Sequence, residues 1–481
     1  MTVEEKSFDE VQPPALMFHG AAQTVTGSMH LLRTKNKTVS LDAGLFQGRR
    51  TDSIEKNSWF PLDPADIDTI LLSHAHIDHS GNIPQLVKRG FKGKIYTTGA
   101  TSDLCEIMLA DSGHIHEEDA NYWNKKRAKT PAEEIKPLYT VEDAIASMQN
   151  FQHIQYGQRF AFAEGAYATY LDAGHILGSA CILIEIETPV QCTILYTGDL
   201  GRFHMPILKD PINPLPKIDY LITESTYANR RHHNPTDMQS ELVKIINETK
   251  AAGGKVVIPS FSVGRTQHVV YYLMKAIMDG EMDEIPIFVD SPLSTNATEV
   301  FNRHVECYDT DAMEFWKKTH GMMFQADHLV TYITDVNESK ALNNLNEPHV
   351  IIASSGMCES GRILHHLKNT IWDEKNTICI VGFMAQHTLG RRIAERRSEV
   401  KIFGRLYPLL ARIELLNGFS AHADIEDFQK LLAPLAPDLK AAFVVHGEGP
   451  QPVAMKRMLE EAGCPEVYIP APGDIFELTK D

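Results

Sequence analysis

The chain has 481 residues, 43% hydrophobic and 23% charged, with 30 glycines and 25 prolines; this excludes disordered and fibrous classes and fits two or three folding units. No apolar run approaches the roughly 18 residues of a membrane span, and the acidic, polar start from Met1 to Glu10 reads as neither secretory nor transit signal. A formal net charge of −17 argues against a protein that coats nucleic acid along a broad basic face, yet leaves room for one local positive site.

In the first half, short β-rich runs each end in a small residue and then a polar one. These are 38–41 before Asp42-Ala43-Gly44, 68–72 before Ser73-His74, 167–171 before Asp172-Ala173-Gly174-His175, and 191–197 before Gly198-Asp199. Leu104, Met108 and Ile115 predict a helix over about 101–126, and Thr140 with Asp143 predicts a capped helix over about 141–148. After residue 211 the pattern changes. A strand at 217–223 and an amphipathic helix at 237–252, closed by Gly253-Gly254, open this part. Strands at 255–259, 285–289, 350–353 and 377–382 then alternate with helices over 266–278, from about 295 and from about 361. Such alternation predicts parallel βαβ units. Residues 229–406 therefore read as an α/β domain inserted into a first domain, which spans 1–228 and resumes over 407–481 with strands at 412–416 and 441–445. Seven cysteines, an odd number with no C-x-x-C pair, argue against a disulfide framework and fit a reducing cytoplasm.

The chain holds 22 histidines, and their spacing carries chemistry. Ser73-His74-Ala75-His76-Ile77-Asp78-His79 contains an H-x-H-x-D-H pattern expected by chance only about 0.002 times in a chain like this. On a tight loop after a strand, His74 and His76 can converge on one ion while Asp78 and His79 turn toward a second. Zinc takes imidazole and carboxylate ligands and, in catalytic sites, keeps one position for water. Other histidine pairs are poorly placed. His114 and His116 sit two apart on a predicted helix and face different sides, and the adjacent pairs His232-His233 and His365-His366 read as exposed or satisfied.

The H-x-H-x-D-H segment, Asp42, His175 in Gly174-His175-Ile176-Leu177-Gly178-Ser179, and Asp199 together resemble the metallo-β-lactamase superfamily. Thr223-Glu224-Ser225-Thr226-Tyr227, Ser420-Ala421-His422-Ala423-Asp424 and Val445-His446-Gly447-Glu448 narrow the resemblance to its β-CASP branch of nucleic-acid nucleases. It runs from about His19 to Glu448. It is strongest to the bacterial ribonucleases of that branch and to the endonuclease subunit of the cleavage and polyadenylation complex. The resemblance implies an α/β fold, an αββα sandwich with an inserted α/β (β-CASP) domain. It implies hydrolysis of single-stranded RNA by internal cleavage, from the 5′ end, or both, and it is compatible with a homodimer. It implies two Zn2+ ions, one bound by His74, His76 and His175, the other by Asp78, His79 and His446, with Asp199 bridging and Asp42 orienting ligands. Two dications less two carboxylates leave a positive centre on an acidic protein. His76 stands where di-iron relatives usually carry Glu, which favours zinc and hydrolysis. His446 stands where RNA-acting members carry His and DNA-acting members Val.

The same resemblance makes His422 the general acid, paired with Glu224; the plainer alternative is that His422 caps a helix starting near Asp424. Ser354, Ser355 and Gly356 form a small-residue turn before a helix, where backbone N–H groups can meet a phosphate. The resemblance implies substrate phosphate there, with Arg362 adding a bidentate contact and Arg265 as a second candidate. The run from Gln386 through Arg391, Arg392, Arg396 and Arg397 reads either as a basic edge along an RNA path or as a solvated helix face. Two other functions stay open. A small-molecule hydrolase of the superfamily rarely carries so large an insertion, and an inactive scaffold subunit of an RNA-processing complex typically loses metal ligands.

Overall fold

The computed structural model describes residues 8–48, 50–127, 134–232, 238–325, 329–382 and 384–478; His233 and Asp237 lie outside the described residues. The chain forms two compact units. One comprises Met1–Phe203, Asp210–Arg231 and His422–Asp481, the other His204–Lys209 and His232–Ala421.

Among the described residues, the first unit holds two seven-stranded sheets. One runs in the order Ile475–Glu477, Ala15–Gly20, Met29–Arg33, Thr38–Leu41, Thr69–Leu71, Lys94–Thr98, Phe151–Ile154. The other runs Val467–Tyr468, Ala441–Val444, Tyr220–Thr223, Cys192–Tyr196, Ala180–Ile186, Ala166–Asp172, Arg159–Ala163. Strand side chains alternate between faces, and that alternation builds the layers. Ile194 and Ile222 point into the core between the sheets, with Phe18, Tyr170, Phe443 and Phe476. Their neighbours Leu195 and Leu221 point outward and pack with Phe428 and Leu459 of the helices Ile425–Leu432 and Pro450–Glu461. The helix Gly99–Arg127 packs against Lys94–Thr98 and Phe151–Ile154 of the other sheet. The order is helix, sheet, sheet, helix. The expected cap at Thr140 is present: its Oγ1 accepts the Asp143 N–H at 3.2 Å, and the Asp143 carboxylate accepts the Thr140 N–H at 2.9 Å.

Strand direction is what positions the site. Thr38–Leu41 and Thr69–Leu71 run parallel. Cys192–Tyr196, Tyr220–Thr223 and Ala441–Val444 also run parallel, and Ala166–Asp172 shares their direction through two antiparallel steps. Within each sheet these strands therefore end at the same edge.

The second unit holds an all-parallel six-stranded sheet in the order Val330–Tyr332, Ile287–Asp290, Val350–Ala353, Val256–Pro259, Thr377–Ile380, Arg412–Leu415. Val350–Ala353, Val256–Pro259 and Thr377–Ile380 are buried at every position, as strands covered on both faces are. The parallel βαβ expectation is met here. The sequence placed Arg412–Leu415 in the resumed first domain, whereas it is an edge strand of this sheet, with Ile413 opposite Ile378. Only Ile413 of its four residues is buried, so its half-polar pattern did not reveal which sheet it joins. The first unit resumes at His422 instead. All seven cysteines are buried and free, and no helix among the described residues is long and apolar enough to cross a membrane.

Phe443 is 1% exposed, and its ring lies 5.2 Å from that of Phe18 and 4.8 Å from that of Phe476. Phe443→Ala should therefore destabilise the first unit by about 3–5 kcal/mol in urea unfolding. A loss below about 1 kcal/mol would contradict this inter-sheet packing.

Candidate active site

Six strand ends feed one cluster. Asp42 follows Thr38–Leu41, the segment from Ser73 to His79 follows Thr69–Leu71, and His175 follows Ala166–Asp172. Asp199 follows Cys192–Tyr196, Glu224 follows Tyr220–Thr223, and His446 follows Ala441–Val444. His74 and His76 lie on the loop that follows Thr69–Leu71, as expected. Asp78 and His79 sit instead on a one-turn helix, Ile77–Ser80, which turns them toward a second position. Gly44 lets this turn approach: a Cβ there would fall 1.6 Å from the Asp78 carbonyl oxygen.

His74 Nε2 and His175 Nε2 each lie 3.2 Å from His76 Nδ1 and 3.5 Å from Asp199 Oδ2. Ligands about 2.0–2.1 Å from a tetrahedral zinc are spaced about 3.3–3.4 Å apart, so these four atoms fit one ion. Beside them, His79 Nε2 lies 3.3 Å from Asp199 Oδ1, and His446 Nε2 lies 3.4 Å from Asp78 Oδ2. Asp78, His79 and His446 form a second group able to hold a cation. His79 Nε2, His446 Nε2 and Asp199 Oδ1 are buried without a hydrogen-bond partner among the described residues. Orphaned lone pairs of this kind are what a metal satisfies.

Around these atoms a fixed frame sets the ring nitrogens. Asp42 is fully buried, and its Oδ1 accepts the Ser73 N–H at 2.7 Å. Its Oδ2 accepts the Ser73 hydroxyl at 2.7 Å and the Tyr196 hydroxyl at 2.6 Å, and lies 2.6 Å from His79 Nδ1. Ser73 Oγ, its proton committed to Asp42, lies 3.0 Å from His74 Nδ1 and accepts from it. Burial pushes His76 down to about 3 and His175 well below the ordinary imidazole range, which keeps both neutral and able to ligate. Burial alone would raise Asp199; the imidazoles of His446, His79 and His422 outweigh it and hold the carboxylate ionised.

Glu224 is 1% exposed. Its Oε1 accepts the Leu200 N–H at 2.7 Å and lies 3.2 Å from His422 Nδ1, while Oε2 accepts the Thr226 N–H at 3.2 Å. Burial disfavours the His422 imidazolium, but the Glu224 and Asp199 carboxylates overcome it and raise its pKa to about 9. His422 does not cap the following helix. Asp424 does, accepting the N–H groups of Glu426 and Asp427 at 2.8 and 3.2 Å.

Comparison with known proteins agrees with this geometry. Residues 23–247 match the Metallo-beta-lactamase superfamily, 266–393 the Beta-Casp domain, and 406–470 the Zn-dependent metallo-hydrolase RNA specificity domain. The chain is 33% identical over 444 residues to "Ribonuclease TTHA0252" of Thermus thermophilus, covering 92% of this chain and 95% of that protein. The chain belongs to the β-CASP branch of the metallo-β-lactamase superfamily. It is also 29% identical to an "RNase J-like protein" of Methanocaldococcus jannaschii, covering 96% of this chain and 99% of that one. With "Transcription termination factor FttA" of Methanothermobacter thermautotrophicus it shares 30% identity, covering 89% of this chain and 66% of the relative. A crystal structure of a protein of unknown function from Enterococcus faecalis shares the fold, with a TM-score of 0.57 at 15% identity, covering 96% of this chain and 99% of that one.

The superfamily implies a divalent metal, and the first unit of this β-CASP chain brings together every metal-ligand candidate named from the sequence. Ser354, Ser355, Gly356, Arg362 and Arg265 belong to the second unit. Ser355 Oγ accepts the N–H groups of Glu359 and Ser360 at 3.3 and 3.4 Å, and the Ser354 hydroxyl donates to Ser291 Oγ at 3.1 Å. Arg362, read from the sequence as a bidentate phosphate contact, has protein partners in the structure. Its guanidinium donates to Asp290 Oδ1 at 2.6 Å and to the carbonyls of Ile333 and Thr334, because the fully buried Asp290 requires a countercharge. Arg265 opens the helix Arg265–Met278 and donates to the Val381 carbonyl. In the basic run, Arg391 and Arg397 pair with Glu395, and Arg396 donates to the Ile413 carbonyl. His116 packs on Tyr139, and His366 lies 2.6 Å from Asp290 Oδ2, so neither joins a metal group. Sequence reading gave no role to Ser73, Thr226 or Tyr196: the Ser73 and Thr226 hydroxyls meet His74 and His446, and the Tyr196 hydroxyl donates to Asp42. Small polar residues beside ligand motifs were the available signal.

Asp42→Asn should cost about 3 kcal/mol in urea unfolding of chelator-treated protein, because either amide orientation sets an N–H against a buried donor. A change below about 1 kcal/mol would contradict the four-donor arrangement.

Proposed function

We propose that this chain is a two-zinc ribonuclease that hydrolyses phosphodiester bonds of single-stranded RNA in RNA processing or decay. The observation that carries this reading is the Asp199 carboxylate, whose Oδ2 faces His74 Nε2 and His175 Nε2 at 3.5 Å while its Oδ1 faces His79 Nε2 of the other donor group at 3.3 Å. The RNA specificity match over 406–470 and relatives named as ribonucleases support RNA as the substrate, as does His at position 446. Seven buried free thiols support work in a reducing compartment such as the cytoplasm.

In this reading His74, His76, His175 and Asp199 would hold one zinc, and Asp78, His79, His446 and Asp199 the other. Bound there, two dications would supply an activated water and offset charge on the phosphate oxygens. Asp42 and Ser73 keep His79 and His74 in the ligating orientation. As the water oxygen bonds to phosphorus and the P–O bond to the ribose breaks, His422, charged beside Glu224 and Asp199, gives its proton to the departing ribose oxygen. Glu224 then steadies the imidazole, and its N–H partners at Leu200 and Thr226 keep that carboxylate in place.

Zinc-loaded protein should cleave RNA, circular RNA included, much faster than DNA of matched sequence. His422→Ala should slow RNA cleavage by about 10²–10⁴-fold while sparing an activated aryl phosphodiester, whose leaving group needs little protonation. Glu224→Gln should show the same selectivity more mildly. Equal loss on both substrates with zinc retained would assign His422 to positioning. DNA cleaved as fast as RNA, or no RNA cleavage by the wild type, would overturn the reading.

A further inference from the structure

We propose that Thr226 is a positioning residue for the second donor group: it selects which nitrogen of His446 ligates and ties that ligand to the Glu224–His422 pair. The inference rests on the two-metal reading above. Thr226 Oγ1 lies 3.1 Å from His446 Nδ1 and 3.2 Å from the His446 carbonyl oxygen. A hydroxyl has one proton and two lone pairs. The carbonyl can only accept, so the Thr226 proton goes there, and Oγ1 is left to accept from Nδ1–H. In its neutral form His446 then carries its proton on Nδ1 and its lone pair on Nε2. That Nε2 is the buried atom without a hydrogen-bond partner, 3.4 Å from Asp78 Oδ2.

The first unit uses the same device elsewhere. The Ser73 hydroxyl donates to Asp42 and accepts from His74 Nδ1, which frees His74 Nε2 for the first donor group. Asp42 does for His79 Nδ1 what Thr226 does for His446. His446 also needs the help for a backbone reason. Its φ is +47°, a left-handed conformation unusual for a residue other than glycine. It is held there by its own N–H to the Ala21 carbonyl and by the Ser225 N–H and Thr226 hydroxyl on its carbonyl. The coupling to Glu224 is equally direct, because the Thr226 N–H donates to Glu224 Oε2 at 3.2 Å. One residue thus touches a ligand of the second group with its side chain and the carboxylate beside His422 with its backbone.

The test is a zinc titration of chelator-stripped full-length protein against a competing chromophoric chelator, with thermal melting of the metal-free protein alongside. Wild type should take up two ions. Thr226→Val should bind the second about 10–100-fold more weakly and the first unchanged, and Thr226→Ser should restore wild-type binding. Thr226→Ala, a second variant without the hydroxyl, should follow Thr226→Val if the branched side chain folds poorly. Unchanged affinity at both steps in Thr226→Val and Thr226→Ala would overturn the assignment. So would equal weakening of both steps with a lowered melting point, since that marks a packing role. Wild type taking up a single ion would overturn the two-metal reading instead, and this assignment with it.

Discussion

The centre is organised around one buried carboxylate. Asp199 is 2% exposed, and an ionised group at that depth is tolerated only with countercharge and directed partners. Its Oδ2 is approached by His74, His175 and His422, and its Oδ1 by His79 and His446. Those five imidazoles come from four separate places in the chain, and all must arrive together for the carboxylate to stay charged. Asp42, Ser73, Thr226 and Glu224 in turn hold the imidazoles. The polar interior of the first unit is best described as successive layers around Asp199, each fixing the orientation of the layer inside it.

Parallel strands make such convergence possible. Residues 42 and 446 are far apart in sequence, but each lies just past the end of a strand, and within each sheet the strands of shared direction end at one edge. The rigid inter-sheet core then sets the positions of the short segments that follow. Asp78 and His79 are displaced from His74 and His76 by a single helical turn, which is how one seven-residue segment serves both donor groups. The second unit applies the same rule to a different end: its six strands are all parallel, and Asp290, Ser354 and Ser260 follow or close strands of one direction.

Much of this was legible in the sequence because it rests on local patterns. Apolar runs closed by a small and a polar residue located four of the site strands, and the H-x-H-x-D-H spacing located the ligands. What escaped depended on partners distant in sequence. Arg362 reads as a free cation until Asp290 is placed beside it, and Arg412–Leu415 reads as a strand without showing which sheet it joins. A strand such as Ala15–Gly20 is hard to read because buried positions there are nearly continuous, which blurs the two-residue period. Thr226 reads only as one position of the Thr223-Glu224-Ser225-Thr226-Tyr227 motif. Its importance comes from a contact 220 residues away.

Anomalous diffraction at the zinc edge from crystals of the zinc-loaded protein tests the shared carboxylate most directly. Two peaks about 3.5–4 Å apart are expected, one ringed by His74, His76 and His175 and the other by Asp78, His79 and His446, with Asp199 reaching both. A single peak, or a second peak away from His446 and Asp199, would contradict it.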